Sequence, residues 1–251
     1  MHQPAPSYLR PALFDGLPGV VAGFSTRHGG GSDEPYASLN LSLSIGDDEA
    51  QVHENRRRLC EALGFSTDQL ALTGQVHGAE VKEVVEAGLY RGYDAMVTRR
   101  PGLLLCISAA DCAAVLLFDA EARVVGACHA GWRGTVARVV VGTVAAMARL
   151  GAKPSRVRAY VSPCISAEHF EVGPEVAREF DSAFVRRWPG KEKPHVDLKA
   201  AIVAQLEEAG VALGRVEVSP HCTVAEVETF FSHRAEKGRT GRMMGFVGMG
   251  L

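Results

Sequence analysis

Two residues in the apolar middle of the chain have side chains suited to catalysis or metal binding: Cys112 and His129. The segment Phe118-Asp119-Ala120-Glu121-Ala122-Arg123 predicts a hairpin between two apolar runs, 113–118 and 123–129. If Asp119 and Ala122 flank a two-residue loop, Cys112 and His129 stand directly opposite each other on one side of the sheet, with Cβ atoms roughly 4.5–5.5 Å apart. A thiol and an imidazole so placed make either a nucleophile–base pair or two legs of a metal site. A zinc site with an open position needs a third protein ligand. His77, followed by Gly78 at the start of a strand predicted over 75–85, is the candidate. A buried structural thiol and an ordinary hydrogen-bonded histidine are the plainer reading, and the spacing of the three residues does not decide among these.

Two neighbours add to the pattern. Asp111 precedes Cys112 at the end of an apolar strand, where a carboxylate is costly to bury without a partner. It serves there to orient a ligand histidine, to move protons, or to cap a turn. Arg133 follows Trp132 at a strand-to-helix turn, where helix N-termini attract anions; it faces a phosphate or lies on the surface.

The elements that must position these residues are those of an α+β chain. Alternation over 38–44 and 75–85 predicts strands, and the apolar runs 103–108, 113–118 and 123–129 predict buried ones. Further strands fall near 156–161, 216–219 and 245–248. Helices are expected over 49–63, stopped by Gly64, and over 135–150, closed by Gly151 and Pro154. Segments 174–184 and 198–209 are also read as helical. Strands come in runs as well as in alternation with helices, so the expected fold is a mixed sheet in a single domain over 1–251 rather than a doubly wound nucleotide fold.

The 251 residues carry 27 Lys+Arg against 29 Asp+Glu, a net charge of −2 that gives no electrostatic case for nucleic acid or a membrane surface. No segment reads as a membrane span or targeting signal. The six cysteines contain no Cys-x-x-Cys pair and do not form a disulfide framework, so a reducing, cytoplasmic setting is expected. The chain has no Gly-x-Ser-x-Gly elbow beside its His28-Gly-Gly-Gly run, no Walker loop, no Gly-x-Gly-x-x-Gly, no His-Glu-x-x-His and no zinc-deaminase signature. The common hydrolase, kinase and dehydrogenase classes fall with them.

Phe24-Ser-Thr-Arg-His-Gly-Gly, Ser38-Leu-Asn-Leu, Gly46-Asp-Asp, Asn55-Arg56, Gly74-Gln-Val-His-Gly, Ala110-Asp-Cys112, His129-Ala-Gly-Trp-Arg-Gly134, Phe170-Glu-Val172, Asp197-Leu198, Cys222-Thr223 and Thr240-Gly-Arg-Met run over most of the chain. Together they resemble the polyphenol oxidase-like YfiH/laccase-domain family, whose members have been renamed purine nucleoside phosphorylases and, in some cases, peptidoglycan editing factors. The resemblance implies a zinc ion, with copper as the other candidate, on His77, Cys112 and His129, and mixed sheets flanked by helices in αββα layers. It also implies phosphorolysis of adenosine, inosine, guanosine and methylthioadenosine, with deamination of adenosine, so that the partners are a nucleoside and phosphate. On that basis zinc activates water for attack on the adenine C6 while Asp111 moves protons, and Asn40, Arg56 and Arg27, which lie in the matching N-terminal motifs, contact phosphate or ribose. Where the family commonly has Gly-Pro-x-Ile and Cys-Tyr-Glu-Val, this chain has Ser162-Pro-Cys-Ile165 and His169-Phe-Glu-Val172. Three rivals stand beside it: a metal-free Cys112–His129 hydrolase or amidase acting on a cell-wall precursor, a copper oxidase of phenols, and a non-enzymatic protein that senses a nucleoside in the same pocket. The second lacks any His-x-His pair among the nine histidines. The oligomeric state is not written in the sequence.

Overall fold

The structure, a computed structural model, describes residues 4–250. Its strands in chain order are β1 (Tyr8–Leu9), β2 (Val20–Ser25), β3 (Leu70–Gly74), β4 (Val81–Glu83), β5 (Gly88–Arg91), β6 (Ala95–Thr98), β7 (Leu104–Ala109), β8 (Ala113–Asp119), β9 (Val124–Ala130), β10 (Arg158–Val161), β11 (Val185–Arg186), β12 (His195–Val196), β13 (Val216–Val218) and β14 (Met243–Met249). The helices are α1 (Glu49–Leu63), α2 (Trp132–Val136), α3 (Val139–Arg149), α4 (Pro174–Ala177) and α5 (Leu198–Glu208). Two six-stranded mixed sheets, ordered β1-β2-β14-β7-β3-β5 and β13-β10-β8-β9-β6-β4, account for most of the strands.

The central strands alternate between two apolar cores. On β8, Ala114, Leu116 and Phe118 join Ile107, Val247 and Phe24 of the opposite sheet, while Ala113, Val115 and Leu117 join Val140, Val144 and Ile202 of α3 and α5. Being buried on both faces, β8 and β9 read as unbroken apolar runs. A third cluster packs Leu59, Cys60 and Leu63 of α1 on Leu104 and Phe246 of the first sheet. The result is helix, sheet, sheet, helix, the layering expected from the sequence.

Helix α1 occupies the predicted span. The Asp48 carboxylate caps it by accepting from the Gln51 N–H at 2.8 Å, and Gly64 closes it at φ 75°. Several expectations need correction. The alternating stretch 38–44 forms no strand: Leu39 and Leu41 are buried, but its main chain is held by a side chain, Asn55 Nδ2 donating to the carbonyls of Asn40 (2.9 Å) and Ser38 (3.3 Å). The predicted strand 75–85 is a loop over 75–80 followed by the short β4. The helix 135–150 is two helices, broken where Arg138 takes the left-handed conformation at φ 66°. Segment 174–184 is one helical turn, α4, and a separate turn of 3₁₀ helix at Ser182–Phe184. Strands β2, β3, β5 and β6 appear where the sequence pattern gave no strand.

The hairpin register also shifts. Asp119 pairs with Val124, not across a two-residue loop from Ala122, because the Asp119 carboxylate accepts from the Glu121 and Ala122 N–H groups and builds a four-residue turn. His129 therefore lies opposite Ala114, and Cys112 lies just before the start of β8. A shift of two residues keeps the facing parity. The thiol and imidazole remain on one side of the sheet as diagonal neighbours.

Candidate metal centre and active-site cavity

His77, Cys112 and His129 come from three different elements, yet their ligand atoms lie within 4.8 Å of one another. The two imidazole rings stand nearly perpendicular, with centroids 4.8 Å apart. His129 is almost fully buried, Cys112 half-buried and His77 exposed.

The residue that assembles them is Asp94, fully buried and not singled out by sequence reasoning. Its Oδ1 accepts from the His77 N–H (3.0 Å) and lies 2.9 Å from His129 Nδ1; its Oδ2 accepts from the N–H groups of Val76 (3.0 Å) and Gly78 (2.8 Å). One carboxylate thus shapes the 76–78 loop, with His77 at φ 60°, and orients the imidazole across from it. Because an ionised carboxylate only accepts, Nδ1 of His129 carries the proton and Nε2 is left for a ligand, the arrangement found behind metal-bound histidines. Burial works to raise the Asp94 carboxyl, but the bond from His129 and the loop N–H groups outweigh it and hold it below the ordinary range.

Thiol chemistry separates Cys112 from the other cysteines. All six are free. Burial pushes Cys60 up to about 11 and Cys128 and Cys164 up to about 12. At Cys112 burial acts in the same direction, but the charges and hydrogen bonds of His129 and His77 override it and bring the thiol down to about 6. His129 moves the opposite way, to about 9: burial opposes its charged form, and the Cys112 thiolate with Asp94 more than compensates. In the metal-free centre each group therefore favours the charged form of the other, thiolate at Cys112 and imidazolium at His129.

The donor set fits a divalent ion such as zinc: one low-lying thiolate and two imidazoles, three protein ligands that leave a position open. The space between them is kept by Gly131, where a Cβ would come within 2.8 Å of Cys112 Sγ, 3.4 Å of His77 Cδ2 and 3.6 Å of His129 Cε1. Gly134 has a related role. A side chain there would meet the Gly78 carbonyl at 2.9 Å, so its absence lets α2 approach the His77 loop.

The three residues sit in the wall of a cavity of about 900 Å³. Trp132, Ile165, Phe170 and Leu198 give it an apolar side beside the centre, and Arg56, Arg242, Gln75 and Ser108 contribute polar groups elsewhere. Asp111, at φ 79°, also lines it. Its Oδ1 accepts from the hydroxyls of Thr223 (2.7 Å) and Ser232 (2.8 Å), and its Oδ2 from the Arg234 N–H (2.6 Å). Orienting the ligand histidine thus belongs to Asp94, and Asp111 ties the 223–234 segment to the cavity wall.

Of the arginines and amide expected to bind substrate, Arg56 alone reaches the cavity. Arg27 is a structural clamp: it donates to the carbonyls of Ala37 (3.0 Å) and Val227 (2.6 Å), pairs with Glu236 and lies over the Phe231 ring. Asn40 is fully buried and spends its amide on Ser42, Asp47 and the Arg242 N–H. Arg133 is exposed and stacks on Trp132, outside the lining. Arg27 and Asn40 resemble ligand contacts in sequence because irregular buried main chain needs polar side chains as partners just as a substrate does.

Residues 21–250 match the family described as multi-copper polyphenol oxidoreductase laccase. The chain belongs to this family. Among its relatives, a purine nucleoside phosphorylase of Deinococcus radiodurans is 46% identical over 232 residues, covering 92% of this chain and 89% of the relative. The adenosine deaminase RL5, from an unknown prokaryotic organism, is 36% identical over 240 residues, covering 89% and 92%. Among solved structures, YlmD of Geobacillus stearothermophilus superposes with a TM-score of 0.91 at 34% identity over 100% of this chain and 98% of that one. YfiH of Bacillus licheniformis gives 0.92 at 31% identity, covering 98% and 97%. Among the described residues of this family member, no helix is long and apolar enough to cross a membrane.

Proposed function

We propose that this protein is a zinc-dependent purine nucleoside phosphorylase that also deaminates adenosine, with adenosine, inosine, guanosine and methylthioadenosine as substrates. The observation that carries the reading is the convergence of His77, Cys112 and His129 on one side of a cavity large enough for a nucleoside. The names of several relatives, purine nucleoside phosphorylase and in one case adenosine deaminase, support the same reaction classes.

In phosphorolysis the bond between ribose C1′ and purine N9 breaks, a phosphate oxygen bonds to C1′, and the electron pair left on the base is neutralised by a proton. In deamination, water adds at C6 and ammonia leaves. A divalent ion held by the three ligands supplies Lewis acidity at neutral pH. The apolar wall of Trp132, Ile165, Phe170 and Leu198 takes the flat base and excludes water from it. Asp111 Oδ2, which receives a single main-chain donor, is the atom through which a proton passes to or from the base. Asp94 keeps His129 in the tautomer that ligates.

Chromatography of inosine with purified protein tests the reading: hypoxanthine and ribose 1-phosphate should accumulate over many turnovers and only with phosphate present, and adenosine should give inosine without it. Stoichiometric product alone would mark a binding protein. Elemental analysis of Cys112→Ser separates the metal-free hydrolase: here the variant loses zinc with activity, whereas a cysteine nucleophile would lose activity and keep its metal content.

A further inference from the structure

Arg27, Arg57, Arg138, Arg156 and Arg186 each pair with a carboxylate. Two half-buried arginines in the cavity wall do not. Arg56 donates through Nε to the Leu41 carbonyl at 2.8 Å, and its two terminal nitrogens make no hydrogen bond among the described residues. Arg242 donates through Nη1 to the carbonyls of Thr240 and Gly241, both at 2.9 Å, and its Nε and Nη2 are unused among the described residues. Neither forms an ion pair there, and burial disfavours the charge of both. A guanidinium withdrawn from water without a directly paired carboxylate is expensive, main-chain carbonyls fix its direction without neutralising it, and at Arg242 the charges of Asp111, Cys112 and Glu236 offset only part of the cost. Such a group held against an open cavity is a site for an anion.

The two lie on either side of one residue. Arg56 binds the carbonyl of Leu41, and the Leu41 N–H donates to the Arg242 carbonyl at 3.2 Å. Ser42 and Ser44, whose hydroxyls bond each other at 2.9 Å, also line the cavity. A single guanidinium fork satisfies a planar carboxylate, whereas the additional oxygens of a tetrahedral oxyanion can take donors from two guanidinium groups. We propose that Arg56 and Arg242 form an oxyanion subsite of the cavity, and that its ligand is inorganic phosphate, the co-substrate. The assignment as co-substrate rests on the phosphorylase reading; the binding of an oxyanion does not. Arg242 was left without a role by the sequence, and Arg56 gains a specific partner.

Titration calorimetry with sodium phosphate on the zinc-loaded protein, and on Arg56→Gln, Arg242→Gln and the exposed Arg99→Gln, tests the subsite. Each cavity variant should bind phosphate about 10- to 100-fold more weakly, with Arg99→Gln unchanged. In the phosphorolysis assay the KM for phosphate should rise by a similar factor, with a smaller change in the KM for inosine. Arg56→Lys and Arg242→Lys, which keep the charge, guard against misfolding and should recover part of the affinity. Phosphate binding equal to wild type in both glutamine variants overturns the subsite, even where phosphorolysis persists. Phosphate-independent release of hypoxanthine instead overturns the phosphorylase reading. Loss of adenosine 5′-monophosphate binding in both variants, with inorganic phosphate binding retained, overturns the co-substrate assignment in favour of a phosphate carried by the substrate itself.

Discussion

Replacing Asp94 by asparagine changes almost nothing in size and removes one of two acceptor oxygens. Each carboxylate oxygen serves two partners: Oδ1 the His77 N–H and His129 Nδ1, Oδ2 the N–H groups of Val76 and Gly78. If the new NH₂ takes the Oδ2 position, two main-chain donors face a donor. If it takes the Oδ1 position, the His77 N–H loses its acceptor, and His129 either loses its partner or reverses tautomer, placing the proton on Nε2 and removing it as a ligand. The first orientation strands two donors and the second one or two, at about 1–3 kcal/mol each, or about 1–6 kcal/mol in total. Part of this appears as a lower unfolding free energy of the metal-free protein and part as zinc affinity lower by about 10- to 100-fold. Competition against a chromophoric chelator at neutral pH measures the second, and urea unfolding with metal removed measures the first. The pH profile gives an independent readout. The Asp94 carboxyl is held below its unfolded value in the native state, so its contribution is complete above that unfolded value and is lost as pH falls through the native one. Asp94→Asn should flatten this acid limb. A variant with wild-type chelator competition and an unchanged urea midpoint would refute the reasoning that one carboxylate organises the centre.

Gly131→Ala leaves the backbone unstrained at φ −78° but places a methyl group 2.8 Å from Cys112 Sγ. It should weaken zinc binding by about 5- to 100-fold with little loss of helical signal, read by elemental analysis and circular dichroism. Zinc uptake at pH 7 should release about one proton, because Cys112, at about 6, is already a thiolate while His129, at about 9, still carries its second proton. Affinity should then climb about tenfold per pH unit between those values, and calorimetry in two buffers of different protonation enthalpy checks the proton count. Arg27→Ala should cost about 2–4 kcal/mol in urea unfolding by orphaning the Ala37 and Val227 carbonyls, and should leave the KM values for nucleoside and phosphate as they were.

Sequence reasoning succeeded where local chemistry decides the outcome. Asp48 and Gly64 set the ends of α1, and the apolar runs of β7, β8 and β9 mark strands buried on both faces. The facing of Cys112 and His129 survived an error of register because a slip of two residues preserves side. What escaped depends on contacts distant in sequence. Asp94 follows Gly92 and Tyr93 with no motif of its own, and its importance comes from a loop sixteen to eighteen residues earlier and a strand thirty-five residues later. The 38–44 stretch alternates like a strand, but its main chain is satisfied by Asn55. Arg27 and Asn40 sit in motifs that look like substrate contacts and prove to be internal braces.

The unequal burial of the two ligating imidazoles bears on how a cation would enter and leave. His129, buried on β9, is held by a carboxylate, whereas His77 stands at the solvent edge on a short loop. Exchange would therefore begin with the outer ring swinging aside while the inner ring and the sulfur keep hold. The lifetime of the bound ion would be governed by the stiffness of residues 76–78, so that a substitution stiffening that loop would slow chelator stripping without touching any ligand.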